Sequence, residues 1–262
     1  MTTASGPDGP PHRDISSTFF KGLQVLSAFD DDHPRLTMAE IGQITGLDRA
    51  AVRRLMITLV AFGYVQKTGK HYGLLPKILT LTGSYMRGNA MGTVVQPILN
   101  RHSKDLLKEI SLAARADTEA VYIAKSILSD ADISFGFTVG SRLPILQTAI
   151  GRMLLATCDD ATLSQIVRTA PLRPYTAQSL MDREAILSKV QDARAQGYAL
   201  VDNEFEAGVA GLAVPVGPVA GATMVIGVSV PLARLTGTDL KTHALNTLQQ
   251  CANELVRSRT GV

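Results

Sequence analysis

From Ser17 onward, Phe20, Leu23, Val25, Leu26 and Phe29 recur at three- and four-residue spacing, which predicts an amphipathic helix. Asp30-Asp31-Asp32-His33-Pro34 then stops the pattern and marks a turn. Thr37, with Glu40 three residues later, forms a capping-box signature and predicts a short second helix from Met38 to Thr45. Gly46 closes that helix as a left-handed residue would. Asp48 caps a third helix running from Arg49 to about Phe62, with Val52, Leu55, Met56 and Leu59 as its apolar stripe. The segments on either side of Thr68-Gly69-Lys70, from Gly63 and on to Leu74, read as a two-stranded hairpin that Leu75-Pro76 ends.

The pattern then returns to helical spacing. Ile78, Leu79, Leu81, Tyr85 and Met86 predict a linker helix over 77–87, and Gly88-Asn89-Ala90-Met91-Gly92 reads as a hinge. This helix either transmits a signal and pairs two subunits, or simply packs; spacing does not distinguish the two. Pro97 opens a long helix carrying Ile98, Leu99, Leu106, Leu107 and Ile110. Strand-like runs follow at 111–116, 119–127 and 132–139. Gly140-Ser141-Arg142-Leu143-Pro144 reads as a loop. Helices are predicted at 148–157, 161–168, 183–196 and 239–257, with strands at 198–202, 212–216 and 222–230. Strands with helices before, between and after them predict an α+β domain on an antiparallel sheet.

A chain of 262 residues is long enough for two domains. The expected division is a tail without fixed structure over 1–16, a head over 17–76, a linker over 77–92 and a second domain over 93–262. No apolar run of about 18 residues is present, and the first residues carry no apolar signal core, so the expected location is the cytoplasm. Cys158 and Cys251 lie far apart without metal-ligand spacing, and buried free thiols are expected. No metal and no cofactor is expected.

Charge placement adds the first functional hint. Residues 1–92 hold ten Lys/Arg against seven Asp/Glu, while residues 93–262 hold sixteen of each. Between Arg49 and Tyr72 there are five basic residues and no acidic one. Two short helices around a Gly turn outline a helix-turn-helix, and the hairpin makes it winged. The exposed face of the third helix then offers Arg49, Ala50, Arg53, Arg54 and Ile57 or Thr58 to the major groove. Lys67, Lys70 and His71 place the wing against the backbone or minor groove. With the caps Thr37 and Asp48, these form the candidate contacts to a double-stranded DNA operator. A solvated basic surface is the alternative, but the cluster coincides with the one helix and the one hairpin that the motif uses.

No G-x-S-x-G, P-loop, H-E-x-x-H or G-x-G-x-x-G pattern occurs. The leading reading is therefore a ligand-responsive DNA-binding regulator rather than an enzyme. A small-molecule enzyme fused to a DNA-binding head, and a ligand-independent DNA-binding oligomer, are the alternatives.

Lys21-Gly22-Leu23-Gln24-Val25-Leu26, the helix-turn-helix from Leu36 to Leu59, Gly140 to Pro144, Thr148 to Ala156, and Gly197 to Val209 together resemble the IclR family of bacterial regulators. The Arg49–Leu59 and Gly140–Pro144 segments look closest to its branch controlling aromatic-acid catabolism. The resemblance implies a GAF-like effector-binding domain, a small organic acid (aromatic or dicarboxylic) as effector, and a homodimer or homotetramer. It also implies that Gln147, Thr148, Ala149 and Ile150 supply backbone N–H groups to the ligand, with Val201, Asp202 and Gly211 lining the other side. A helix N-terminus suits a carboxylate, because unpaired N–H groups and the helix dipole converge there. Phe135, Phe137, Ile145 and Ile150 would give an apolar pocket fitting an aromatic or larger acid. Ordinary core packing would explain each of those four equally well.

Overall fold

The computed structural model describes residues 14–127, 137–219, 221–235 and 238–258. The chain divides between Gly88 and Asn89 into two compact units.

In the first unit, α1 (Ser17–Ser27) leads to β1 (Leu36–Thr37), α2 (Met38–Thr45) and α3 (Arg49–Ala61). The hairpin β2 (Val65–Thr68) and β3 (His71–Leu74) follows, and α4 (Ile78–Gly88) ends the unit. The local signals form as their chemistry dictates. The Glu40 N–H donates to Thr37 Oγ1 at 3.3 Å and the Thr37 N–H donates back to Glu40 Oε2 at 2.7 Å. Gly46 ends α2 at φ +69°. The Asp48 carboxylate accepts from the Ala51 N–H at 2.8 Å and starts α3. Val25, Phe29, Leu36, Ile41, Val52, Met56, Val65 and Tyr72 close one core. One element is unexpected: Leu36–Thr37 adds a third strand to the wing, pairing with Tyr72 and His71. A two-residue strand has no periodicity to read.

The second unit opens with a π-helical turn, Met91–Val95, entered through Ala90 at φ +52°. The last two residues of the expected hinge, Met91 and Gly92, thus belong to a wound segment that runs directly into α5 (Gln96–Leu106). That helix stops short of Ile110, which the apolar spacing had assigned to it. Leu107 turns left-handed at φ +52°, and Ile110 instead begins β4 (Ile110–Ala116). Next come β5 (Glu119–Lys125), β6 (Arg142–Pro144), α6 (Ala149–Ala156), α7 (Asp160–Thr169) and α8 (Arg183–Gln196). The chain finishes with β7 (Ala199–Asp202), β8 (Val209–Val219), β9 (Ala222–Pro231), α9 (Leu232–Leu235) and α10 (Thr238–Arg257). The segment read as a loop, 140–144, contains β6, whose proline is tolerated because the strand sits at the sheet edge. The strand expected over 132–139 falls mostly outside the described residues. Of the two thiols, Cys251 is buried and Cys158 only half-buried.

The sheet is antiparallel throughout, in the order β6-β5-β4-β9-β8-β7. Helices α6, α7 and α8 pack over the face bearing Ala113, Val225, Ala213 and Val201. Helix α10 packs on β8 and β9 and against α5. All eight residues of α6 are buried. Such a helix reaches the sheet only where side chains are missing. A Cβ on Gly227 would lie 2.8 Å from Ile150 Cγ1 and 2.9 Å from the Leu212 carbonyl. A Cβ on Gly211 would lie 3.1 Å from Ala149 Cβ. Gly151 is tighter still, with Ile145 O 2.2 Å from a built Cβ.

Burying α6 also buries Arg152, at 3% exposure. Its guanidinium makes a bidentate pair with Glu204 at 2.8 and 2.6 Å, and its Nε donates to Leu146 O at 2.8 Å. Glu204 accepts further from the Leu180 N–H at 3.0 Å. The pair therefore ties α6, the loop before it and the 203–208 turn into one network.

Two outcomes are expected. Gly151→Ala should lower the stability of the second unit by roughly 1–3 kcal/mol through overpacking, although Ala normally favours a helix. An unchanged or raised unfolding midpoint would show that the 145–148 loop can yield. Arg152→Met should cost roughly 3–5 kcal/mol by stranding the Glu204 carboxylate, and adding Glu204→Leu should restore part of it. Additive losses in the double variant would contradict the pairing.

Candidate functional site

The first unit presents a cationic surface. Helix α3 buries Ala51, Val52 and Met56, so helical spacing turns Arg49, Ala50, Arg53, Arg54 and Thr58 outward, and all five are exposed. None of Arg49, Arg53, Arg54, Lys67 and Lys70 makes a salt bridge among the described residues. Lys67 and Lys70 are exposed at the hairpin and His71 is half-buried beside them. Thr37 and Asp48 have a structural task in the free protein. Each holds a helix start, and backbone donation at Asp48 keeps its carboxyl below its usual range. Ile57, half exposed, adds apolar surface to the same helix.

The second unit contains a cavity that is open to solvent on one side. Its roof is the start of α6, where Gln147, Thr148, Ala149 and Ile150 all contribute to the lining. Thr148 accepts from the Gly151 N–H at 3.0 Å and donates to Pro144 O at 2.8 Å, so its hydroxyl is committed. The Ala149 and Ile150 N–H groups belong to the first turn, which has no intrahelical acceptor. Gln147 is fully buried. Its amide donates to Arg173 O at 3.2 Å, which fixes the flip and leaves Oε1 without a hydrogen-bond partner among the described residues.

The floor is the sheet itself, opened by the two glycines. Direct strand pairs share a face: Val201 with Gly211, Gly211 with Ser229, Gly227 with Ser111 and Ser111 with Lys125. Tyr122, Phe137 and Phe205 form an aromatic wall, with ring centroids 6.0 Å apart for Tyr122 and Phe137 and 6.2 Å for Phe137 and Phe205. Burial pushes the Tyr122 hydroxyl up to about 12, Glu109 adding to the shift and the hydrogen bond with Ser111 opposing it, so the phenol stays protonated.

The expected ligand residues do not all arrive. Phe137, Gln147, Thr148, Ala149, Ile150, Val201 and Gly211 line the cavity. Ile145 is buried outside the lining, packed beneath Gly151. Asp202 is exposed outside it, because neighbours along a strand alternate faces and Val201 takes the inner position. Phe135 lies outside the described residues. Sequence reasoning missed Glu109, Ser111, Tyr122, Lys125, Phe205 and Ser229. A bulge explains one omission. Between its pairings with Leu112 and Ala113, β5 passes from Ala124 to Tyr122, leaving Ile123 as an extra residue. Tyr122 and Lys125, three apart and otherwise on opposite faces, thereby share the cavity face.

Comparison with known proteins accounts for both units. Residues 19–69 match the IclR helix-turn-helix domain, and residues 84–257 match the C-terminal domain of the bacterial transcriptional regulator IclR. The chain is 35% identical over 249 residues to the Pca regulon regulatory protein of Pseudomonas putida, covering 95% of this chain and 86% of that protein. A crystal structure of an IclR family transcriptional regulator from Brucella abortus shares the fold, with a TM-score of 0.81, 23% identity, and coverage of 95% and 94% of the two chains. The inducer-binding domain of a PobR double mutant from Acinetobacter, solved with 3-hydroxybenzoic acid, is similar at a TM-score of 0.56 and 28% identity. That match covers 62% of this chain and 95% of that one. On the family models and the identity to the Pseudomonas protein, this chain belongs to the IclR family of bacterial transcriptional regulators.

Proposed function

We propose that this regulator responds to a small aromatic carboxylic acid held in the cavity under α6, and that it controls genes of aromatic-acid breakdown. The observation that carries the reading is the pairing of a helix start with an aromatic wall. The first-turn N–H groups of α6 favour a carboxylate, and Tyr122, Phe137 and Phe205 offer a ring its stacking partners. The Pca regulon name of the Pseudomonas relative and the 3-hydroxybenzoic acid in the Acinetobacter domain support that chemistry.

The head over 17–76 would insert α3 in the major groove, with Arg49, Arg53 and Arg54 reaching base edges or phosphates and Lys67, Lys70 and His71 following the backbone. Residues 77–92 would link it to the effector domain over 93–262. A homodimer or homotetramer would read a pseudo-palindromic operator with half-sites near one helical turn apart, or a multiple of it. Ligand would act by favouring one arrangement of the heads, limited by its differential affinity for the two states.

Two measurements test this. Arg53→Ala with Arg54→Ala should weaken operator binding and flatten the slope of log affinity against log salt by roughly 1.8, two phosphate contacts' worth. A slope equal to that of the wild type would take these arginines off the duplex. Ala149→Phe should fill the cavity roof and abolish the response to benzoate-type acids while operator affinity stays within about twofold. A normal response in that variant would move the effector elsewhere.

A further inference from the structure

The charge inventory of the cavity decides between two kinds of acid. Glu109 and Lys125 both line it, and they pair at 3.0 Å with side chains only 24% and 14% exposed. Lys125 Nζ also donates to Phe137 O at 2.8 Å and sits 5.6 Å from the Tyr122 ring centroid. Its charge is therefore already answered by Glu109, and two of its three N–H donors are aimed at Glu109 and Phe137. The remaining charged group in the described lining, Glu206, is a carboxylate exposed at the rim. Apart from the N–H groups of α6, nothing in the described lining offers uncompensated positive charge. One charged acceptor stands ready instead, the Glu109 carboxylate.

We infer that the cavity selects a monocarboxylate bearing a hydroxyl on its ring, and rejects a dicarboxylate, because its second pole offers a carboxylate acceptor, Glu109, and no spare cation. This inference rests on the effector-site reading above and names the ligand class within it. The carboxylate lies at the start of α6, over Gly211 and Gly227. Lys125 lies two strands from Gly227 through Ser111. Two strand spacings are roughly 10 Å, a span that one substituted benzene ring and the Lys125 side chain bridge together. A phenolic hydroxyl placed there donates to Glu109, a charge-assisted bond, and accepts from the third Lys125 N–H. A second carboxylate would face Glu109 directly and would have to break its pair with Lys125 to find a counter-charge. It also has no proton to offer Glu109.

The test is calorimetric titration of the full-length chain with benzoate, 3-hydroxybenzoate, 4-hydroxybenzoate and adipate. At least one hydroxybenzoate should bind roughly tenfold or more tighter than benzoate, and adipate should bind more weakly than either hydroxybenzoate. Glu109→Gln should still bind benzoate, reduce the hydroxyl preference roughly tenfold and improve adipate binding, since Lys125 is released. Adipate outbinding the hydroxybenzoates, or equal affinity for benzoate and both hydroxybenzoates, overturns the inference in the wild type alone, so an unfolded variant does not shield it. An unchanged hydroxyl preference in a folded Glu109→Gln protein overturns it too. Ala149→Phe separates the two levels. If it blocks all four acids while Glu109→Gln changes nothing, only the ligand class is wrong. If the acids bind Ala149→Phe as they bind the wild type, the cavity reading falls with it.

Discussion

The second unit depends on a helix start pressed against a sheet with nothing between them. Helix α6 is buried along its whole length, so each polar group it carries must find a partner inside the protein. Thr148 caps one N–H, and Glu204 neutralises Arg152. The close approach itself is possible only because Gly211 and Gly227 lack side chains beneath Ala149 and Ile150, and because Gly151 lets the preceding loop pass at contact distance. What remains is a hollow roofed by first-turn N–H groups. The same geometry that packs the domain thus leaves a cavity at the start of the helix.

The Arg152–Glu204 pair extends this constraint outward. A buried pair of this kind is weak evidence for stability in itself, since desolvation offsets much of its attraction. Its value lies in position. Glu204 belongs to the turn that carries Phe205 and Glu206 to the cavity, and Arg152 belongs to the helix that roofs it. Thr176 donates to Asn203 O and Ser179 to Glu204 O, fastening the 175–180 segment to that turn. Phe205, one member of the aromatic wall, therefore sits on a turn that the polar network holds in place.

The head follows a different logic. Its core is made by one stripe of α3 and by the wing, and the residues left outside are cations without salt-bridge partners among the described residues. Exposed arginines and lysines cost little to keep in water. They stand on one helix and one hairpin of a helix-turn-helix domain, so the charge left over from packing the core gathers on those two elements.

The head was largely legible in the sequence because its signals are local. A capping box, a left-handed Gly46, an Asp48 cap and a 3.6-residue stripe each act within a few residues, and each formed as read. The choice of α+β architecture and the approach of Gln147 to Ile150 toward the cavity were legible for a similar reason, through periodicity and family resemblance. The opposite pole was not. Glu109, Ser111, Lys125 and Ser229 come together only when β4, β5 and β9 pair in register, and Lys125 reaches the cavity face only because Ile123 bulges. Asp202 lies outside the lining because side chains alternate along β7, and Ile145 because it packs beneath Gly151. The sequence by itself determined most of the elements and the exposed cationic face of the head, which arise from neighbours along the chain. Tertiary structure alone decided the chemistry of the cavity, because strand register and the glycine gaps beneath α6 are properties of segments far apart in sequence.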